Sequence, residues 1–277
     1  MRKLTFIAEI FMATFSLASF AMAQAPGPLP SPAHIVVVME ENHSYSEIIG
    51  SPAAPYINSL VVQGALFTQS FAIGHPSEPN YLELFSGSNQ GITDDSCPHT
   101  FSTASLESEL LKAGKTFTGY SEGLPKAGSF VCTSGEYARK HVPWTNFSKD
   151  NPADNQPFTS FPSDYTKLPL VSFVIPNLLN DMHDGTIQEG DSWLQQNLSA
   201  YATWAMNNNS VLIVTWDEDD GTENNQIPTI FVGGPVKQGK YREKIDHYNI
   251  LRTIEQMYKL PHLADAAQAK PIKDAWK

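Results

Sequence analysis

Cysteine is scarce in this chain, with two in 277 residues, Cys97 and Cys132. That excludes a disulfide-dense scaffold and any zinc centre built from cysteines alone. Basic residues are outnumbered too: 18 Lys and Arg face 29 Asp and Glu, for a formal net charge of −11. Such a surface repels nucleic acid and anionic membrane surfaces, so neither is expected as a partner. No apolar run beyond the N-terminus is long enough to span a bilayer, so no stable membrane insertion is expected. Internal repeats and low-complexity tracts are lacking as well.

The N-terminal run reads differently. Met1-Arg2-Lys3 precedes a mostly apolar stretch from Leu4 to Met22, blemished by Glu9, and Ala21-Met22-Ala23 is a small-x-small cleavage site. This is the pattern of a secretory signal peptide over residues 1–23, and it predicts a secreted or periplasmic mature chain, 24–277. The uncharged part is short for a membrane anchor. In an exported chain an even cysteine pair predicts one disulfide, Cys97 to Cys132. The mature length suits one α/β domain with a sizeable core.

Apolar runs of strand length alternate with helical patterns. Ile35–Met39, Leu66–Ile73, Lys115–Tyr120, Leu170–Ile175, Val211–Trp216 and Pro228–Val232 read as strands, several of them unbroken and β-branched as in a parallel sheet buried on both faces. Ala54–Gln63, Pro79–Ser86, Thr103–Ala113, Asp191–Met206 and Tyr248–Tyr258 read as helices, with Pro55 and Pro79 in first turns and Gly114 as a stop. Residues 123–166, rich in Pro, Gly, Asn, Ser and aromatics, read as a long insertion over the sheet edge or the active site. The alternation predicts a layered α/β sheet, whose ligand site lies beyond the carboxyl ends of the strands.

Chemistry-bearing residues follow those strand ends. Glu40-Glu41-Asn42-His43 closes the first run; Glu41 and Asn42 are hard oxygen donors suited to a divalent cation, or else cap a turn. Asp217-Glu218-Asp219-Asp220 closes the Val211 run, and acids so close repel unless a cation or proton compensates. A solvated acidic turn or a calcium site is the alternative. Between them, Ser77 in Gly74-His75-Pro76-Ser77-Glu78-Pro79-Asn80-Tyr81 stands at a helix start, where free N–H groups attract phosphate. It is either an activated nucleophile or an ordinary N-cap. Asn80 could stabilise a charged phosphoryl oxygen. His183 sits among Asp181 and Asp184; His75, His141 and His247 occupy polar, turn-like contexts, and imidazole can bind a metal, bind phosphate or protonate a leaving group.

Taken together, VVVMEENHSY at Val36–Tyr45, GHPSEPNYL at Gly74–Leu82, YARKHVPW at Tyr137–Trp144, DMHDGTIQEGDSWL at Asp181–Leu194, VTWDEDDG at Val214–Gly221, then IPTIFVGGPVKQGKY and DHYNILRTIEQMY span nearly the whole mature chain. Their order resembles the bacterial phosphoesterase family of secreted acid phosphatases and phospholipases C, within the alkaline-phosphatase-like superfamily. The resemblance implies a three-layer α/β/α sandwich with a mainly parallel central sheet. It implies that Glu41, Asn42, Ser77, Asp217 and Glu218 surround a divalent metal, of which zinc, calcium, magnesium and manganese are all compatible. Ser77 would be the nucleophile, forming a phosphoserine. His183, Asp184 and His247 would fill a second metal or phosphate position, with Asp181 nearby, and His75 and His141 would contact phosphate or assist proton transfer. Asp217-Glu218 departs from the Asp-His of two-metal alkaline phosphatases, which favours one metal. The substrate expected is a small phosphorylated compound. A phospholipase C and a non-catalytic calcium- or glycan-binding surface protein stand as alternatives.

Overall fold

The computed structural model describes Met1 and residues 28–277. Apart from Met1, the expected signal peptide lies outside the described residues. One eight-stranded sheet organises the chain, with five parallel and two antiparallel neighbour pairings. In chain order its strands are β1 (His34–Glu40), β2 (Ala65–Phe67), β3 (Phe117–Ser121), β6 (Asn155–Pro157), β7 (Val171–Ile175), β8 (Ser210–Trp216), β9 (Thr229–Val232) and β10 (Gly239–Tyr241). A separate hairpin pairs β4 (Thr133–Ser134) with β5 (Tyr137–Ala138). The helices are α1 (Tyr45–Ile48), α2 (Pro55–Gln63), α3 (Ser77–Ser86), α4 (Leu106–Lys112), α5 (Ile187–Met206) and α6 (His247–Tyr258). Across the sheet the order is β10-β2-β9-β8-β1-β7-β3-β6, and β9 alone runs antiparallel to both neighbours.

Strand alternation sorts the core into two layers. Ile35, Val37 and Met39 of β1 pack with Leu82, Phe85, Leu110, Leu251 and Ile254 from α3, α4 and α6. Val36 and Val38 pack with Ile57, Leu60, Leu194 and Leu198 from α2 and α5. Each such buried aliphatic side chain contributes about 1.5–3 kcal/mol relative to exposure. This is the three-layer α/β/α arrangement expected, with β8, β7 and all of β1 beyond His34 buried at its centre.

Four sequence expectations shift. The strand expected over Leu66–Ile73 shortens to Ala65–Phe67, because Ser70 and Phe71 turn away to bridge Ile245 and Gln226. The helix expected from Asp191 starts at Ile187, since Thr186 and Glu189 close a capping box that secures an extra turn. The helix expected over Thr103–Ala113 narrows to Leu106–Lys112, because the Ser105 hydroxyl accepts from Ser108 N at 3.0 Å and sets the start. Residues 123–166 are more than a loop: they contribute the hairpin, a series of 3₁₀ turns and the edge strand β6, and they bury Tyr137, Arg139, His141, Trp144 and Phe147. The expected Cys97–Cys132 disulfide is formed and ties this segment to the loop after α3.

Candidate active site

Three neighbouring strands deliver the site. β1 and β8 pair in register from His34↔Ser210 to Glu40↔Trp216, and Asp217 N donates to Glu40 O at 3.0 Å. Glu41 and Asp217 therefore leave the sheet side by side. On the other flank, Glu41 N donates to Asp181 O at 2.8 Å, drawing the segment after β7 to the same edge. This edge is where adjacent parallel strands diverge into separate connections, the usual location of a ligand crevice. Asn42 turns the chain in the left-handed region, φ 49°, a conformation asparagine tolerates, and its N–H donates to Asp217 Oδ1 at 3.1 Å.

Ser77 enters from α3. The helix begins at Ser77 and stops where Gly87 adopts φ 73°; a Cβ there would lie 2.3 Å from Leu263 O, so only glycine fits. Ser77 Oγ donates to Glu41 Oε2 at 3.0 Å and lies 3.5 Å from Glu218 Oε1. One turn on, Tyr81 donates its hydroxyl to Glu41 Oε1. The Asn42 side chain is oriented with its oxygen facing acceptors alone; turned over, its nitrogen would lie 3.2 Å from Glu41 Oε2 and 3.3 Å from Glu218 Oε1. A side-chain amide, a hydroxyl and three buried carboxylates thus converge.

Burial, reinforced by the charges of Asp217 and Asp181, raises the Glu41 carboxyl well above its ordinary range. Burial likewise pushes Asp217 up to about 6 and, with the Asp217 charge, Glu218 up to about 8. Such a cluster resists full ionisation unless a cation enters, and hard oxygen donors are the set that a divalent cation prefers. Glu41, Asn42, Ser77, Asp217 and Glu218 thus fit a divalent metal by their donor chemistry.

The histidines divide. His141, carried on a 3₁₀ turn of the insertion, is fully buried and stacks on Tyr81 at 5.0 Å between ring centroids. Its Nε2 lies 3.3 Å from Glu41 Oε1 and its Nδ1 3.3 Å from Asp181 Oδ2. Burial, then the charge of Lys140, pulls its pKa well down, favouring the neutral ring that a metal or a proton relay requires. His183 follows Met182, a buried residue at φ 79° and so a strained turn; its N–H donates to Asp181 Oδ1 at 2.9 Å and its Nδ1 sits 2.8 Å from Asp184. One ligand atom each from Glu41, His141 and His183 lie within 4.8 Å of one another, a second candidate cation position. His75, half exposed, lies 2.9 Å from Glu218 and 3.3 Å from Asp219.

Two residues of the expected set are held differently from the rest. His247 is buried at the start of α6, and its Nε2 contacts Trp216 O at 2.9 Å; among the described residues its Nδ1 has no partner. His141 takes the place beside His183 that the sequence reading gave to His247, whose ring is held against the Trp216 carbonyl. Asn80 does not face open space: its amide donates to Gly74 O at 2.8 Å and Pro76 O at 3.3 Å and accepts from Ile73 N and Gly74 N, stapling the loop before Ser77, with 3.4 Å to Glu218. The four-acid run also splits. Asp217 and Glu218 join the cluster, whereas Asp219 folds its own turn by accepting from Gly221, Glu223 and Asn225.

Tyr81, Lys140, Asp95 and Arg139 went unassigned in the sequence. Tyr81 was legible, since positions four apart share a helix face. Arg139 locks the turn that bears His141, donating to Thr145 Oγ1 and O, Phe130 O and Asn146 Oδ1. Asp95, two residues from Cys97, accepts from Glu78 N and from Lys140 Nζ, and nothing in its local sequence marks it.

The sequence profile of the Phosphoesterase family matches residues 51–261. The chain belongs to that family. It is 55% identical over 255 residues to a phosphatidylinositol-3-phosphatase of Mycobacterium tuberculosis, covering 91% of this chain and 85% of the relative. A probable acid phosphatase of Kluyveromyces lactis is 31% identical, covering 82% of this chain and 58% of its own length. An acid phosphatase of Aspergillus fumigatus is 30% identical, covering 74% and 50%. The chain thus spans little more than half the length of these fungal relatives. Among solved structures, a Vibrio parahaemolyticus protein of the alkaline phosphatase superfamily aligns with TM-score 0.61 at 13% identity, over 89% of this chain and 73% of that one. The lipoteichoic acid synthase LtaP of Listeria monocytogenes aligns with TM-score 0.64 at 10% identity, over 94% and 79%. The fold is therefore alkaline-phosphatase-like, and the chain is a phosphoric ester hydrolase, which removes the non-catalytic alternative. Among the described residues, no helix is long and apolar enough to cross a membrane.

Proposed function

We propose that this chain is an exported, metal-dependent phosphomonoesterase that works through a covalent phosphoserine at Ser77. One observation supports it most: a buried serine hydroxyl donating to Glu41 Oε2 at 3.0 Å, among carboxylates gathered from two parallel strand ends. A serine with no such partners would be a cap and nothing more.

Glu41, Asn42, Ser77, Asp217 and Glu218 would hold the cation. When bound, a divalent cation supplies positive charge to the phosphoryl oxygens and lowers the proton affinity of a neighbouring hydroxyl. The Ser77 proton passes toward Glu41 along the existing hydrogen bond. Ser77 Oγ then attacks phosphorus in line, the ester P–O bond breaks, and the departing alkoxide takes a proton from His183, the partly exposed imidazole at the crevice rim. Water attacks the phosphoserine in the second half, releasing inorganic phosphate and restoring the serine. His141, neutral and packed on Tyr81, lines the Glu41 carboxylate at 3.3 Å.

The mycobacterial relative's name brings a substrate class into this proposal: a phosphate monoester carried on a lipid headgroup. The test is a panel of aryl phosphate, bis-aryl phosphate, phosphatidylcholine and phosphatidylinositol 3-phosphate, offered to the mature chain with each of magnesium, calcium, manganese and zinc. Monoester turnover is expected to lead, and Ser77→Ala is expected to lower it by on the order of 10³-fold or more with the fold intact. Retained turnover in that variant removes the covalent mechanism. Preferential cleavage of phosphatidylcholine establishes a phospholipase C instead.

A further inference from the structure

Lys140 brings a permanent cation to the rim of the carboxylate cluster. Its Nζ lies 2.8 Å from Asp95 Oδ2 and 3.4 Å from His183 Nε2, with the side chain 19% exposed. His183 in turn offers a ring nitrogen within 4.8 Å of ligand atoms of Glu41 and His141, so the ammonium stands beside the space that those groups surround. An ammonium has three N–H donors; Asp95 takes one direction, and His183 Nε2 stands nearby. Both contacts lie outside the Ser77 ligand set, and among the described residues they are the only side-chain polar contacts of the ammonium. The placement is built: Arg139 locks the backbone turn on one side, and Asp95 also accepts Glu78 N at 2.9 Å, tying Lys140 to the residue after Ser77.

We propose that Lys140 binds the transferred phosphoryl group and selects the doubly charged phosphate of a monoester over the singly charged phosphate of a diester, with Asp95 as its positioning residue. This inference rests on the phosphatase reading above and deepens it. A monoester carries close to two negative charges near neutral pH, whereas a diester carries one. A fixed cation therefore discriminates between them, and an already crowded set of carboxylates makes such a cation necessary for an anionic substrate to approach.

The experiment compares wild type with Lys140→Met, Lys140→Arg and Asp95→Asn, using aryl phosphate, bis-aryl phosphate and, by calorimetry, inorganic phosphate as the binding probe. Lys140→Met is expected to lower kcat/KM for the monoester by on the order of 10²-fold and for the diester by less than about 5-fold, and to weaken phosphate binding by about tenfold. Lys140→Arg is expected to restore most of the difference, since guanidinium also binds phosphate. Asp95→Asn is expected to fall between, shifting the same ratio in the same direction. Metal content and melting temperature are measured on every variant. An unchanged monoester-to-diester ratio, or a loss of metal that accounts for the effect, overturns the proposal while leaving the phosphatase reading standing. A wild-type enzyme that cleaves neither ester and binds no phosphate overturns both.

Discussion

Glu40 and Glu41 are neighbours in sequence, and both are buried, yet they do opposite things. Glu41 meets Ser77, Tyr81 and His141. Among the described residues, neither carboxyl oxygen of Glu40 has a polar partner. The raised affinity of each for its proton comes first from burial. The contrast extends across the molecule. Glu107, at the start of α4, is pushed up to about 9 and Glu255, in α6, to about 8, again chiefly by burial. A perturbed carboxyl is therefore a poor marker of a site by itself. What distinguishes the crevice is convergence: several acids, a hydroxyl, a side-chain amide and two imidazoles in one place, drawn from separate elements.

That distinction can be broken by substitution. The gathered set should show the largest effects. Beyond Ser77→Ala, Asp217→Ala is expected to lose bound metal by elemental analysis and to lower turnover by on the order of 10³-fold; unchanged metal content would remove Asp217 from the ligand set. Next comes His141→Ala, expected to cost about 10–100-fold in turnover or metal affinity, because it orients Glu41 rather than reacting. A loss as large as that of Ser77→Ala would make His141 a direct participant.

The carboxyls outside the crevice should affect stability alone. In the unfolded chain Glu107 titrates near 4.5, and in the folded protein near 9. The unfolded state gives up its proton first, so this residue's contribution is full below pH 4.5 and is lost progressively as pH rises toward 9. Glu107→Gln is expected to flatten that decline, stabilising the protein at pH 8 by about 1–3 kcal/mol relative to wild type and leaving monoester turnover unchanged. Denaturant titrations at pH 5 and pH 8 check it; a variant as pH-sensitive as wild type defeats the assignment.

Much of this was legible in the sequence, and the reasons are local. Strand runs such as Val211–Trp216 fix which acid emerges at the sheet edge, because the chain must leave the core there. Pro79 and Gly87 bracket α3, so Ser77 reads as a helix start. The pieces that escaped depend on packing across long separations. His141 and His247 look alike in sequence, and only the path of the insertion decides which one reaches Glu41. Asn80 sits three residues after Ser77 in a motif that suggests substrate contact, yet most of its hydrogen bonds close its own loop and one reaches Glu218. Asp95 has no pattern around it and acquires meaning only when Lys140 and Glu78 arrive from elsewhere.

The covalent link between Cys97 and Cys132 has a further bearing. It stitches the segment holding Asp95 to the segment holding Lys140 and His141, and so joins one wall of the crevice to the other. Thiol chemistry and phosphate chemistry thereby share a part. In whichever compartment those two sulfurs oxidise, maturation of the enzyme includes fastening its own rim, and a reduced chain carries Ser77 with one flank of its crevice unfastened.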